Sequence, residues 1–270
     1  MEYRLLANEE YDTYAPELKG SSRVVTDGEK YWYFKSAINT PDEFSRDMLG
    51  YILGSKVANI AEVKKITLDE FTVLKSIVGL SEEFNPQRHY LVRVAGSYKL
   101  EELKWQIPEQ AVASEIVFSV WIRRRDTHVD NRIYINGIPV FFDSGIAFLP
   151  PHEQHMGHIA VFSRRNFDHG QPNRWRIKVK SEKMTTQEAR ALHRSTQGAH
   201  HFVSDLEQFK SELNHMTRLF QTTFSYDLTK EINNADFDEN QIVFLNEFLS
   251  INLHCLPKDL EVMSRIIFRD

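Results

Sequence analysis

The alternation of apolar and polar positions near the start of the chain predicts a β-hairpin. Over residues 30–35 the pattern puts Trp32 and Phe34 on one face of a strand and Lys35 on the other. A second apolar run comes just before it, and Thr-Asp-Gly-Glu at 26–29, a sequence typical of a tight turn, separates the two. We therefore expect two paired strands, with the lysine near the end of the second.

A change of apolar spacing to three and four residues predicts a helix after this hairpin. Pro41 and Asp42 are residues typical of a helix start. The apolar positions on its predicted face are Phe44, Met48, Leu49, Ile52, Leu53 and Val57. Another extended run over 87–94 leads to Gly96, near which we expect the end of a β-rich first lobe, residues 1–96.

From about residue 110 the apolar spacing is helical, which predicts a second lobe over residues 97–270. One stripe consists of Val112, Ile116, Val117, Val120 and Trp121, and it ends at the three arginines 123–125. A stripe in the tail consists of Val203, Leu206, Phe209, Leu213, Met216 and Phe220, and further helical stretches cover 243–253 and 260–267. The expected fold is α+β and bilobal, with a β-rich N-lobe and a mostly helical C-lobe.

The dipeptide Asn-Gly at 136–137 predicts a second hairpin, because it is the strongest two-residue hairpin signal and lies between two apolar runs. Pairing Ile135 with Ile138 then fixes the register of the two strands. In that register Asn131 and Asp143 occupy adjacent positions on neighbouring strands, about 5–8 Å apart at their Cβ atoms. We expect their side chains to be able to share a metal ion.

The composition is that of a globular protein, with 41% hydrophobic and 12% aromatic residues. A formal net charge of −5 gives no overall attraction to nucleic acid or to an anionic membrane, so neither is expected as a partner. Cys255 is the single cysteine, which excludes an intramolecular disulfide. The start of the chain has no apolar segment typical of a signal peptide, and no run of about 18 apolar residues occurs. We expect a cytoplasmic protein.

Asp126, Asn131 and Asp143 are the residue types that metal-dependent phosphoryl transfer requires. One carboxylate receives or orients the proton of the nucleophile, while an amide and a second carboxylate hold magnesium on the nucleotide phosphates. We expect His128 to brace this loop by hydrogen bonding rather than to act as the base. Asp130 is a reserve metal ligand.

Three features of the first lobe fit a nucleotide site, and each has an ordinary alternative. Lys35 can reach nucleotide phosphates, or it can protect an edge strand from aggregation. Glu43 can pair with Lys35, or it can simply complement the dipole of its helix. Gly20, Ser21 and Ser22 can offer hydrogen-bond donors to phosphate, or they can form an ordinary turn.

Two further groups of residues are assigned less function. The arginines 123–125 can bind phosphate or form a solvated helix end. His152, His155 and His158 lack the His-x-x-x-His spacing of helical zinc sites, and we assign them to a loop over 150–182 that can contact the substrate.

Taken together, these segments resemble those of HipA-like kinases, relatives of the phosphatidylinositol 3- and 4-kinases within the protein-kinase-like fold. The matching segments are Asp126-x-His128-x-x-Asn131, the Asn-Gly hairpin, Asp143-x-Gly145, Gly20-Ser21-Ser22-Arg23, the Asp-Gly turn with Phe34-Lys35, and Glu43-Phe44…Leu53-Gly54. The resemblance covers about residues 17–60 and 115–149. It does not carry a toxin role or a dedicated antitoxin partner over to this chain, which is shorter than full HipA proteins.

The resemblance implies a role for each residue. Asp126 would be the catalytic base or would orient the acceptor hydroxyl, and Asn131 and Asp143 would hold magnesium. Lys35 would contact the ATP phosphates, Glu43 would position Lys35, and Gly20, Ser21 and Ser22 would cover the phosphates. The usual Asp-Phe-Gly of protein kinases is here Asp-Ser-Gly at 143–145, so regulation by a swinging Phe is not implied.

The function expected from the sequence is therefore ATP- and Mg²⁺-dependent transfer of the γ-phosphoryl group to a hydroxyl, with Ser/Thr of a protein as the acceptor that the resemblance favours. Three alternatives stay open. The acceptor can be a small molecule or a lipid headgroup, the chain can be a catalytically inactive nucleotide-binding scaffold, or the Asp/His cluster can be a metallophosphatase site. The last alternative leaves the hairpin and Lys35 unexplained.

Overall fold

The computed structural model describes residues 2–14, 23–36, 42–94, 98–124, 131–145, 147–148 and 206–267. Within them the protein is a mixed α+β structure, which confirms the α+β class of the predicted fold. The strands are β1 (Arg4–Leu5), β2 (Val24–Thr26), β3 (Tyr31–Ser36), β4 (Val63–Lys65), β5 (His89–Arg93), β6 (Arg132–Ile135) and β7 (Ile138–Phe141). The helices are α1 (Asn8–Tyr14), α2 (Glu43–Gly54), α3 (Leu68–Val78), α4 (Pro108–Ile122), α5 (Leu206–Thr223), α6 (Thr229–Asn233) and α7 (Glu239–Ile267).

The first five strands form one antiparallel sheet in the order β1-β2-β3-β5-β4. The predicted hairpin is confirmed, because Val25 of β2 pairs with Trp32 of β3. Its turn is closed by Asp27, whose Oδ1 accepts hydrogen bonds from the backbone N–H groups of Glu29 and Lys30. The alternation in β3 is also as predicted, since Trp32 and Phe34 are buried on the opposite face from Lys35.

The face of the sheet that carries Trp32 and Phe34 is covered by α3, a helix that the sequence analysis did not identify. Phe34, Phe71 and Leu74 belong to one buried cluster there. The helix begins with a capping box, in which Thr67 and Glu70 satisfy each other's backbone N–H groups. Thr-x-x-Glu is a sequence signal for a helix start, so this element was open to prediction.

The opposite face of the sheet is covered by α2, by the start of α4 and by the hairpin β6–β7. Phe44 of α2 packs edge-on against Tyr90 of β5, with ring centroids 5.3 Å apart. Ala111 of α4 and Val140 of β7 lie in the same buried cluster. The predicted helix after the first hairpin is therefore present, and it lies between the sheet and the helical part of the chain.

Helix α4 lies at the centre of the helical part, where α5, α7, α2 and β7 surround it. The predicted helix is confirmed, and the residues of its predicted stripe are buried. Every other residue from Ala111 to Ile122 is buried too, so the restriction of the apolar surface to one face is wrong. A helix that is apolar on all sides is typical of a core position. Trp121 stacks on Phe224 at a centroid distance of 4.4 Å, and its indole N–H donates to the carbonyl of Leu249 at 3.0 Å.

The two helical stretches predicted for the C-terminal part are one helix, α7, which continues through Pro257. Proline lacks the N–H that would donate to the carbonyl four residues earlier, and it usually ends or kinks a helix. Here Leu253, Leu256 and Leu260 on either side of it are all buried against the same core cluster. Tertiary packing on both sides of the proline outweighs the lost hydrogen bond. Among the described helices, none combines the length and the apolar character needed to cross a membrane.

Candidate functional site

Lys35 is the centre of a cluster of charged side chains. Its Nζ donates to the carboxylates of Asp47 at 2.9 Å, Asp143 at 3.1 Å and Glu43 at 3.3 Å. The lysine comes from β3, two of the acids come from α2, and Asp143 follows β7 more than 100 residues later. The lysine side chain is only 13% exposed, so these contacts are shielded from bulk water.

The local geometry of α2 and the sheet explains why these side chains meet. Alternation along β3 turns Lys35 towards the face that α2 covers. Glu43 and Asp47 are four residues apart on α2, and side chains at that spacing share one helix face. Tyr90 lies directly opposite Lys35 in the sheet, and its hydroxyl donates to Asp47 Oδ2 at 2.7 Å.

The predicted register of the second hairpin is confirmed. Ile135 pairs with Ile138, and Asn136 and Gly137 have φ values of 50° and 82°, as a tight mirror-image turn requires. Beyond the strands, the N–H of Phe142 donates to the carbonyl of Asn131 at 3.1 Å. The backbone therefore places Asn131 next to the residue that precedes Asp143.

Asp143 has a left-handed backbone conformation with φ of 67°, which is uncommon for a residue other than glycine. Its conformation is held by neighbours: Arg124 Nε donates to its carbonyl at 3.0 Å, and its own Oδ1 accepts from the N–H of Gly145 at 3.3 Å. Such conformations persist where the surroundings fix them, and they are concentrated at functional sites.

The segment Asp143–Gly145 lies unusually close to α2. A Cβ atom on Gly145 would lie 2.5 Å from Cγ of Glu43, and a Cβ on Gly50 would clash with the hydroxyl of Ser144. Arg46 Nε also donates to the carbonyl of Gly145 at 2.7 Å. The two glycines therefore allow the helix and this segment to come into direct contact.

The pKa values in the cluster reflect burial and close charge pairing. Burial lowers the pKa of Lys35, but Asp47 and the other acids outweigh burial and hold it well above its usual value. Burial raises the pKa of Glu43. Lys35 opposes this increase and the negative charges of Asp47 and Asp143 add to it, so the net pKa is raised. Burial also raises the pKa of Asp143, but Lys35 outweighs it, and the net pKa is lowered.

The cluster has the donor chemistry of a divalent-cation site. Glu43, Asp47 and Asp143 each offer a carboxylate oxygen, and these oxygens lie within 4.8 Å of one another. Three carboxylates around one lysine leave an excess of negative charge when all are ionised. Oxygen-only ligands of this kind suit Mg²⁺.

Several residues predicted for the site lie outside the described residues. They are Gly20, Ser21, Ser22, Asp126, His128 and Asp130, together with Arg125 and the whole stretch 150–182 with its three histidines. The structure does describe the residues on either side of 125–130. Arg124 donates to the carbonyls of Phe142 and Asp143, and Asn131 accepts from Phe142. Both flanking residues of that segment therefore contact the strand end that leads into Asp143.

Neither interpretation of Arg123 and Arg124 is correct. Both are buried, so they are neither a solvated helix end nor exposed phosphate ligands. Arg123 pairs with Asp259 of α7 at 3.0 Å, and Arg124 pairs with Glu115 of α4 at 3.4 Å. The Arg123 guanidinium joins α4 to α7 in the helical core, and the Arg124 guanidinium fixes the backbone at Asp143.

Asp47 is the residue of the cluster that the sequence analysis missed. It is 3% exposed and is a closer partner of Lys35 than Glu43. The sequence does indicate this residue, because Asp47 lies four residues after Glu43 and therefore on the same face of α2. A carboxylate between Phe44 and Met48, on the side of α2 that faces the sheet, needs a buried cation or donors.

Comparison of the chain with protein-family models, with curated proteins and with solved structures gives no match.

Proposed function

We propose that the protein is a magnesium-dependent phosphotransferase that moves the γ-phosphoryl group of ATP to a hydroxyl. The observation that carries this proposal is the convergence of Lys35, Glu43 and Asp143. The lysine Nζ lies 3.3 Å from the Glu43 carboxylate and 3.1 Å from the Asp143 carboxylate. Protein kinases use a lysine on the third strand, a glutamate on the following helix and an aspartate that holds the metal. Here the lysine is on β3, the glutamate is on α2, and the aspartate comes two residues before Gly145.

The proposed architecture is a HipA-like, bilobal kinase fold. Its support is the order of the elements: a five-stranded antiparallel sheet with a helix between the third and fourth strands, followed by helices. The hairpin β6–β7 lies between these two parts of the chain and carries the proposed metal ligands at its open end. The fold alone does not imply an activity, so the proposal rests on the side chains.

Magnesium would be held by Asp143 and by the amide oxygen of Asn131, with Glu43 and Asp47 close by. When bound, the ion would neutralise negative charge on the ATP phosphates. Lys35, now paired with three acids, would bind the phosphates as the second cation of the site. The excess of carboxylates over basic groups in the cluster supports this assignment, because it leaves room for added positive charge.

Asp126 would accept the proton of the acceptor hydroxyl. The hydroxyl oxygen would form its bond to the γ-phosphorus while the bond between the γ-phosphorus and the leaving oxygen of ADP breaks. His128 would brace the loop around Asp126. Gly20, Ser21 and Ser22 would cover the phosphates. Support for this placement comes from Arg124 and Asn131, the residues that flank the segment with Asp126, since both contact the chain at Phe142–Asp143. Catalysis of this type depends on positioning and on charge neutralisation.

The acceptor we propose is a serine or threonine of a protein, which the resemblance to HipA-like kinases favours. Transfer from γ-labelled ATP tests this with three acceptor sets: a protein mixture, small polyols and sugars, and vesicles that contain phosphoinositides. Label on protein serine or threonine would support the assignment. Label on a sugar or on a lipid headgroup would keep the chemistry and replace the acceptor.

Asp126→Asn tests the mechanism. We expect this variant to lose transfer while it still binds magnesium–ATP, because the base is removed and the nucleotide contacts remain. Asp69→Asn, which changes an exposed aspartate on α3, is the matched control and should transfer at the wild-type rate. Unchanged transfer by Asp126→Asn would overturn the assignment of the base.

A further inference from the structure

Asp47 connects four parts of the proposed site. Its Oδ2 accepts from Lys35 Nζ at 2.9 Å and from the Tyr90 hydroxyl at 2.7 Å. Its Oδ1 accepts from the backbone N–H of Ser144 at 2.5 Å. One buried carboxylate on α2 thus joins β3, β5 and the residue directly after Asp143.

The contact with Ser144 fixes the backbone at Asp143. The peptide that joins these two residues carries the N–H that Asp47 accepts, so it cannot rotate without losing a charged, buried hydrogen bond. Asp143 is in the left-handed conformation, which needs support from its surroundings. Arg46, the neighbour of Asp47 on α2, holds the carbonyl of Gly145 at 2.7 Å and adds a second attachment.

The contact with Lys35 sets how the lysine charge is shared. The shortest contact of the Lys35 Nζ is with the carboxylate of Asp47, which also accepts from Tyr90. Its contact with the carboxylate of Asp143 is longer. Without the charge on Asp47, Lys35 would pair more strongly with the two remaining acids. It would then compete with a divalent cation for Asp143.

We propose that Asp47 is a positioning residue for metal binding, which holds Asp143 in its left-handed conformation and keeps Lys35 from neutralising it. This inference rests on the proposed function, because it assumes that Asp143 binds magnesium together with ATP. It assigns no direct metal contact to Asp47. Residues that orient metal ligands in this way commonly contribute about 10- to 100-fold to metal affinity or activity.

The test is a magnesium titration of ATP turnover in Asp47→Asn at saturating ATP. Asparagine keeps the size of the side chain, but it removes the charge that faces Lys35, and its neutral amide oxygen accepts more weakly than the carboxylate from the Ser144 N–H. We expect the half-saturating magnesium concentration to rise about tenfold or more, while the rate at saturating magnesium changes much less. If Asp47 had only a structural role, the substitution would lower the melting temperature, and the protein that stays folded would keep the half-saturating magnesium concentration of the wild type.

Asp259→Asn is the matched control, because Asp259 is an equally buried aspartate paired with a basic side chain, Arg123. We expect it to lose stability without a shift in the magnesium requirement. If the magnesium requirement shifts equally in both variants, or does not shift in Asp47→Asn, the proposal is overturned.

A second variant applies if Asp47→Asn fails to fold. Tyr90→Phe removes only the hydroxyl that donates to Asp47, and it should also raise the magnesium requirement. No rise in Tyr90→Phe would then overturn the proposal.

Hydrogen exchange at the Ser144 amide separates this inference from the proposed function. We expect exchange there to be faster in Asp47→Asn than in the wild type, whether or not ATP is turned over. A wild type without turnover overturns the phosphotransferase assignment. If the wild type turns over ATP but its Ser144 amide exchanges at the same rate as in Asp47→Asn, only the proposed role of Asp47 is overturned.

Discussion

Gly145 lies so close to Glu43 that a Cβ atom on the glycine would come within 2.5 Å of the glutamate Cγ. The third residue of the Asp-Ser-Gly sequence is therefore in contact with the helix glutamate that pairs with Lys35. This contact links two segments that the sequence separates by about 100 residues. The close contact explains why a residue without a side chain is needed at position 145, independently of its backbone conformation.

Gly145→Ala should destabilise the protein by about 1–3 kcal/mol, because the added methyl group must displace the Glu43 side chain. In a Glu43→Ala background the methyl group would have space, and the same substitution should cost much less. Denaturant unfolding of the two single variants and the double variant measures this coupling. An equal cost in both backgrounds would contradict the proposed contact.

Asp143 should make the stability of the protein depend on pH in the acid range. The net pKa of Asp143 is lowered in the folded state, so its stabilising contribution is present at neutral pH and is lost as the pH falls through that lowered pKa. The difference in unfolding free energy between the wild type and Asp143→Asn should therefore be largest near neutral pH. It should shrink as the pH is lowered below about 4, where the unfolded aspartate becomes protonated. A difference that grows on acidification would contradict the pairing with Lys35.

Arg123→Met should destabilise the protein by about 3–5 kcal/mol, because it leaves Asp259 buried without its ion-pair partner. Removing both charges with Arg123→Met and Asp259→Leu should cost less than the single change. Neither variant should alter the KM for ATP, since the pair lies in the helical core. A raised KM with little loss of stability would restore the phosphate-binding interpretation of this arginine.

Pro257→Ala should stabilise the protein, by about 1–3 kcal/mol, because alanine restores a backbone N–H and a helical preference within α7. Pro257 is exposed, so the change removes little packing. His254→Ala, at an exposed position one turn earlier, is the matched control and should change stability by less than about 0.5 kcal/mol. Thermal unfolding of both variants measures the difference, and a destabilised Pro257→Ala would show that the helix depends on the proline.

The parts of the fold that could be predicted from the sequence are those fixed by short-range rules. Turn residues and alternation located both hairpins and the face of β3 that carries Lys35. The Asn-Gly turn fixed the register that places Asn131 beside the start of the Asp143 segment. The pair of Glu43 with Lys35 was one of two interpretations of this glutamate, and the structure shows it at 3.3 Å.

The parts that could not be predicted depend on long-range packing. Helix α4 is surrounded on all sides, and nothing in its own spacing shows how many neighbours it has. Helix α7 continues through Pro257 because buried leucines on both sides hold it to the core. Asp47 was missed because its partners come from β3, β5 and the segment after β7, which no local pattern brings together.

The central claim, that Lys35 belongs to a magnesium–ATP site, is tested most directly by calorimetric titration of magnesium–ATP into the wild type, Lys35→Met and Lys64→Met. Lys64 is the matched control, because it is also a paired lysine of the sheet, held by Glu70 at 2.8 Å and away from the acidic cluster. We expect the wild type and Lys64→Met to bind with similar affinity and Lys35→Met to lose binding at least tenfold. Absence of binding in the wild type, or equal affinity in all three proteins, would contradict the account.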